Sequence, residues 1–274
     1  MKQLSEELFQ KAADLIYEAD SLLITAGAGM GVDSGLPDFR GTDGFWKAYP
    51  ALGEKGVKFE EIADPENFIS NPEMAWGFYG HRLNLYRNIK PHAGFSILKY
   101  FCMDRDYFIF TSNVDAQFQS AGFNANKIYE CHGSIHHLQC STLTHDNCDA
   151  IWSADNLEIT TDDINCKSTS ELPKCPHCGC IARPNILMFN DFFWLNHRSS
   201  NQRERYHEFL ANAGKLVIIE IGAGTAIPTV RRQAENINAP LIRINIRESA
   251  LINQYGVSIS LGAKETLSKI HTYF

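Results

Sequence analysis

Residues 27–41 read GAGMGVDSGLPDFRG, five glycines in fifteen residues closing on the run Asp38-Phe39-Arg40. Just before them, Ser21-Leu22-Leu23-Ile24-Thr25-Ala26 is a short apolar run of the kind that forms a buried strand. A strand feeding a glycine-rich turn is a place where backbone N–H groups can close on a phosphate.

Working outward, the same rhythm recurs. Strands are expected at Leu22–Thr25, Tyr107–Thr111, Lys127–Cys131, Asn185–Met188, Leu216–Ile221, Leu241–Asn245 and Val257–Ser260. Helical stretches lie at 4–19, 73–88, 93–102, 202–211, 229–236 and 263–270. Strand and helix in alternation predict an α/β fold, a doubly wound parallel sheet covered on both faces. Ligands are then expected beyond the carboxyl ends of the strands. Residues 134–183 break the rhythm, with few apolar runs and most of the cysteines, and read as a small module inserted into a main domain of residues 1–133 and 184–274.

A chain of 274 residues, 44% hydrophobic and 21% charged, has the composition of a globular protein. Its net charge of -7 argues against direct nucleic-acid binding. The first residues carry no apolar signal core and no 18-residue apolar run occurs, so a cytoplasmic setting without membrane attachment is expected. Seven of the eight cysteines fall between Cys131 and Cys180, a clustering that favours metal over disulfides.

Four constellations carry chemistry. Gly27-Ala28-Gly29 pairs with a second bare loop, Gly222-Ala223-Gly224-Thr225, after another apolar strand, and two such loops suit a dinucleotide. Asn245, at a further strand end, is placed to hydrogen-bond a ribose hydroxyl. In 111-TSNVD-115, Asn113 and Asp115 can satisfy both ends of a carboxamide, although local chemistry alone favours Asp115 as an Asx turn or helix cap. His132, in 130-ECHGSIHHLQC-140, follows a strand and is a candidate general base, whereas His136 and His137 read as surface or module residues. Cys175-Pro176-His177-Cys178 is a zinc half-site, with Cys140 the natural third ligand. Cys148 is the first choice for the fourth, against His145, Cys166 and Cys180. Four thiolates make a closed structural zinc site. The aromatic run Phe192-Phe193-Trp194 is expected in the core.

Taken in order, GAG-x4-SG-L-PDFRG, TSNVD, CHGS-x5-C, CPHC, GAGT and RIN resemble a sirtuin from about Ser21 to Leu267. The resemblance implies a Rossmann-like NAD-binding domain and a zinc-binding small domain, which a helical insertion near 42–90 would complete. It implies NAD as co-substrate and an acyl-lysine protein or peptide as partner. It assigns Asp38, Phe39 and Arg40 to a mobile cofactor loop, with Phe39 shielding the reacting ribose carbon and Arg40 on phosphate or ribose. Asn113 and Asp115 would hold the nicotinamide carboxamide, and His132 would be the base.

Three positions depart from the family pattern. Ser112 stands where glutamine is usual, the late G-T-S loop reads Gly222-Ala223-Gly224-Thr225, and the substrate-side F-G-E reads Phe189-Asn190-Asp191. GAGTAIPTVRR is similar to class M sirtuins linked with macrodomains, which transfer ADP-ribose to protein. That class typically lacks the histidine that His132 supplies here. Tyr79 and Arg82 repeat a Y-x-x-R spacing found in sirtuins that remove succinyl or malonyl groups; a solvent-facing Arg beside a core Tyr is the competing reading. The expected function is NAD-dependent protein-lysine deacylation, with mono-ADP-ribosyl transfer, NAD glycohydrolysis or slow NAD sensing as alternatives.

Overall fold

The structure, a computed structural model, describes residues 2–37, 41–142, 148–252 and 255–274. Its strands in chain order are β1 (Ser21–Ala26), β2 (Asp106–Thr111), β3 (Ile128–Glu130), β4 (Gly133–Cys140), β5 (Trp152–Ser153), β6 (Thr161–Asp162), β7 (Lys167–Ser168), β8 (Ala182–Ile186), β9 (Leu216–Ile221), β10 (Leu241–Ile244) and β11 (Gly256–Ile259).

Six of them form one parallel sheet in the order β11-β10-β9-β1-β2-β3. The chain runs outward from β1 to β3, then restarts on the other side of β1 with β9. The strand order therefore reverses between β1 and β9, the switch point at which doubly wound sheets bind ligands. Register keeps the strand ends level, with Ala26 opposite both Thr111 and Ile221, and Thr111 opposite Glu130. Residues that follow these four strands all emerge on one edge.

Side-chain alternation explains why the strands read as unbroken apolar runs. Leu22, Ile24 and Ala26 join one buried cluster with Val217, Ile219 and Ile221, while Leu23 joins a second with Phe108, Phe110 and Ile218. Each face of the sheet is covered, so both parities must be apolar. One charged exception is Glu220, buried against its register partner Arg243, which also bonds Glu235.

A third cluster lies beyond the carboxyl edge. It combines Phe45, Trp76 and Phe78 of the helical segment with Ile135, Leu138 and Ile159 of the cysteine-bearing segment. Backbone contact tightens the join: a Cβ on Gly77, in the helix Pro72–Asn88, would stand 2.4 Å from the main chain of Cys166 in the β6–β7 hairpin. The strand expected at 185–188 proves to be β8, which leaves the main sheet and pairs antiparallel with β4. A short apolar run satisfies either sheet, and only long-range pairing chooses. Among the described residues no helix is long and apolar enough to cross a membrane.

Candidate active site

A cavity of about 680 Å3 opens at the carboxyl edge, over the switch point. Gly27 and Ala28 after β1, Ser112, Asn113 and Asp115 after β2, and His132 after β3 all line it. Gly222 and Gly224 after β9 complete its floor. A smaller cavity of about 130 Å3 shares Gly222 and is bordered by Gly29 and Asn245.

The two glycine loops touch. Gly27 N–H donates to Ile221 O at 3.0 Å and Gly29 N–H to Gly222 O at 3.1 Å. Gly222 has φ +63°, and a Cβ there would stand 2.4 Å from the Gly29 main chain. Glycine is required by this contact as well as by any phosphate. The floor is bare backbone that runs from one cavity into the other, which fits a dinucleotide diphosphate.

At the β2 end, Thr111 Oγ1 donates to Ala26 O at 2.9 Å and accepts the Asn113 N–H at 3.0 Å. Asn113 Nδ2 donates to Gly27 O at 3.0 Å, which ties this turn to the glycine loop. Thr111 was not singled out from sequence, yet its hydroxyl knits β1 to the turn. Asp115 Oδ1 accepts the Gln117 N–H at 2.9 Å, so the Asx cap forms and the carboxylate still lines the cavity. Between them Ala116 sits at φ +58°, a left-handed conformation that non-glycine residues adopt at a cost. Burial pushes the Asp115 carboxyl up to about 6, with Gln117 N–H opposing and Glu130 adding to the rise. His136 donates from Nε2 to Asp115 O at 3.3 Å, so this histidine packs against the site instead of lying apart from it.

His132 is half-buried, and burial lowers its pKa below the ordinary histidine value. A neutral imidazole at pH 7 is the form that accepts a proton. Its carbonyl accepts Leu187 N–H at 2.9 Å, which seats the 187–189 segment on the cavity wall. Gly133 (φ +80°) lets the start of β4 lie close against β8, since a Cβ would stand 2.1 Å from Asn185 O.

The substrate-side loop has its own anchor. Arg183 and Asp191 form a fully buried bidentate pair, with both contacts at 2.8 Å. Asn190 takes the left-handed conformation (φ +54°) that asparagine tolerates best after glycine, and donates to Asp64 at 2.9 Å. Phe192 and Phe193 are 90% and 58% exposed, correcting the core expectation. Asp191 turns inward to Arg183, and the aromatics that follow it face out.

Some expected contacts take another form. Asn245 is buried, donating to Ala223 O at 2.8 Å and accepting the N–H groups of Arg247 and Glu248. Thr225 bonds Glu248 through its N–H and hydroxyl. Asp38, Phe39 and Arg40 lie outside the described residues. Tyr79 and Arg82 both line the cavity from the helix Pro72–Asn88, which removes the solvent-facing reading of Arg82. Tyr86, one turn further, lines it too. Helical spacing from Arg82 was the available signal for it.

The ligand atoms of Cys140, Cys148, Cys175 and Cys178 lie within 4.8 Å of one another. Sulfur pairs sit at 3.7 Å (Cys140–Cys178) and 4.0 Å (Cys148–Cys175). Tetrahedral zinc with bonds of about 2.3 Å sets sulfurs about 3.8 Å apart, so the set fits. Cys166 lies away in the β6–β7 hairpin, Cys180 packs beside the cluster, and His145 falls outside the described residues.

Residues 27–219 match the Sir2 family. A Thermococcus kodakarensis protein named NAD-dependent protein deacylase is 32% identical over 94% of this chain and 93% of its own length. The chain belongs to the Sir2 family. A second relative, NAD-dependent protein deacylase 2 of Pyrobaculum aerophilum, is 28% identical over 94% of this chain and 92% of its own. Among solved Sir2 folds, one from a study of Sir2 enzyme mechanism and regulation superposes with TM-score 0.71 at 23% identity, covering 98% of both chains. A Sir2 homologue solved with NAD gives TM-score 0.69 at 23% identity, over 98% of this chain and 93% of its own. This Sir2-family chain thus carries the fold over nearly its whole length.

Proposed function

We propose that the protein is an NAD-dependent protein-lysine deacylase, releasing nicotinamide and O-acyl-ADP-ribose from NAD and an acyl-lysine protein. One observation carries the reading: Asn113, Asp115 and His132 converge on a single cavity at the sheet's switch point, above two interlocked glycine loops. The relatives' name supports it.

In this reading the diphosphate rests on the Gly27–Gly29 and Gly222–Gly224 backbone, with the adenosine side toward Asn245. Asn113 and Asp115 hold the nicotinamide carboxamide away from water. The acyl oxygen of the substrate bonds to the ribose carbon as nicotinamide leaves. His132 accepts the proton of a ribose hydroxyl while that oxygen bonds to the acyl carbon. Water completes the balance, and the lysine amine departs. Asp38, Phe39 and Arg40 would close the cofactor from solvent. The four thiolates would hold zinc as a closed structural site in a lobe of residues 134–183 and the 42–90 insertion, with no chemical role. Clustered reduced thiols support a cytoplasmic setting.

Tyr79 and Arg82, buried on the cavity wall, support acyl groups that end in a carboxylate, succinyl or malonyl. ADP-ribosyl transfer to protein and NAD glycohydrolysis share the first bond cleavage and differ in acceptor. Mass spectrometry of matched acetyl-lysine and succinyl-lysine peptides with NAD separates them. Free lysine peptide with O-acyl-ADP-ribose is expected. ADP-ribose on protein, or free with acyl groups untouched, would replace the deacylase reading.

A further inference from the structure

We propose that Tyr86 is a positioning and specificity residue of the acyl site, holding the Arg82 guanidinium and adding a hydrogen-bond donor for an acyl carboxylate. The proposal rests on the acidic-acyl reading above.

Tyr79, Arg82 and Tyr86 occur at spacings of three and four on the helix Pro72–Asn88, so one face presents all three. They are 1%, 8% and 7% exposed and all line the large cavity. Tyr86 Oη accepts from Arg82 Nε at 2.9 Å and from Nη2 at 2.7 Å. One oxygen thereby engages the side edge of the guanidinium and fixes its plane. The outer edge, Nη1 with Nη2, has the two-pronged geometry that matches a carboxylate.

The chemistry of the hydroxyl adds a second role. With both acceptor positions on Arg82, its proton points away from the guanidinium and can be donated to a ligand oxygen. Tyr86 is also a neutral partner, so it orients the Arg82 charge without cancelling it. Burial raises the Tyr86 pKa, which keeps the hydroxyl protonated. The rings of Phe78, Tyr79 and Tyr86 lie 5.2, 5.7 and 5.3 Å from Arg82 Cζ and form an aromatic wall around the cation.

The test is steady-state kinetics of the full chain with NAD and two peptides of one sequence, carrying succinyl-lysine or acetyl-lysine. Tyr86→Phe keeps the ring and its packing but removes the oxygen. We expect the wild type to favour succinyl-lysine, and the variant to lower the succinyl-to-acetyl ratio of kcat/KM about tenfold, through KM for the succinyl peptide. Arg82→Met is the reference and should abolish the preference. If Arg82→Met does so while Tyr86→Phe keeps the wild-type ratio, the role of Tyr86 is overturned and the acidic-acyl reading stands. An equal loss on both peptides marks Tyr86 as scaffold and also overturns it. A wild type that does not favour succinyl-lysine removes the acidic-acyl reading and Tyr86 with it, and that result is visible without any variant.

Discussion

Gly27 and Gly222 lie back to back: a Cβ built on Gly27 would stand 2.8 Å from the Gly222 carbonyl oxygen. Their strands are neighbours in the sheet, and the chain diverges on either side of them. The cofactor floor is therefore one piece of interlocked main chain.

Gly222→Ala should damage both stability and NAD binding. The left-handed conformation alone costs an alanine about 1–2 kcal/mol, and the contact with Gly29 adds to it. Thermal melting should fall by several degrees, with NAD affinity reduced by tenfold or more. A variant that melts and binds like the wild type would show that the loops are not locked together.

Asp115→Asn should stabilise the fold while harming catalysis. The Asp115 pKa is raised by burial from 3.8 to about 6, so folding disfavours the ionised form. Below the unfolded value both states are protonated and no penalty exists. It grows as pH rises from about 4 to about 6 and is fully present above that, so at pH 7.5 asparagine should gain about 2–3 kcal/mol. The gain in melting temperature should narrow as the pH is lowered to 5. A gain that does not shrink on acidification rules out this origin.

His132→Ala should bind NAD almost normally and lose deacylation by about 10²–10⁴-fold, the usual worth of a positioned base. Burial holds the His132 pKa below the ordinary histidine value, so the ring stays neutral and active further into acid than a free histidine would. Isothermal titration with NAD, beside product formation, separates the two effects. Full activity in the variant would assign the base elsewhere.

Cys175→Ser, or chelation, should release zinc and unfold the lobe it holds. A structural site contributes folding energy directly, so melting should drop sharply and metal content fall by one equivalent. Unchanged zinc and unchanged melting would remove the four-thiolate assignment.

Asp191→Asn tests the substrate loop. It leaves Arg183 buried with its charge no longer neutralised, a change that costs about 3–5 kcal/mol for such pairs. Peptide KM should rise more than KM for NAD, because Met188 N–H and Phe193 N–H also bond this carboxylate. Equal rises in both constants would place its effect on the whole fold.

Much of the site was legible because reactive side chains sit just past strand ends, and strand ends are marked by apolar runs. Thr111, Tyr86 and Arg183 were not, since each acts through a partner that is recognised only once the chain is folded. His136 was read away from the site because adjacent histidines diverge; the Ile135 N–H bond to Val114 O lays β4 beside the turn and brings one of them to Asp115. The boundary of the helix His197–Asn212 begins before the apolar pattern does, in a polar segment where Ser199 bonds Glu130 O.

By itself the sequence determined the positions of the six parallel strands, the two glycine loops, the family, and the Cys175–Cys178 half-site with Cys140. Each depends on local pattern: apolar strands buried on two faces, bare turns, and thiols at ligand spacing. The tertiary structure alone decided that β8 leaves the main sheet, that Cys148 joins the metal cluster while Cys166 stays apart, that burial raises the Asp115 pKa, and that Tyr86 bonds Arg82. Those are properties of groups distant in the chain or set by burial, and neither proximity nor dielectric environment is encoded at any one position.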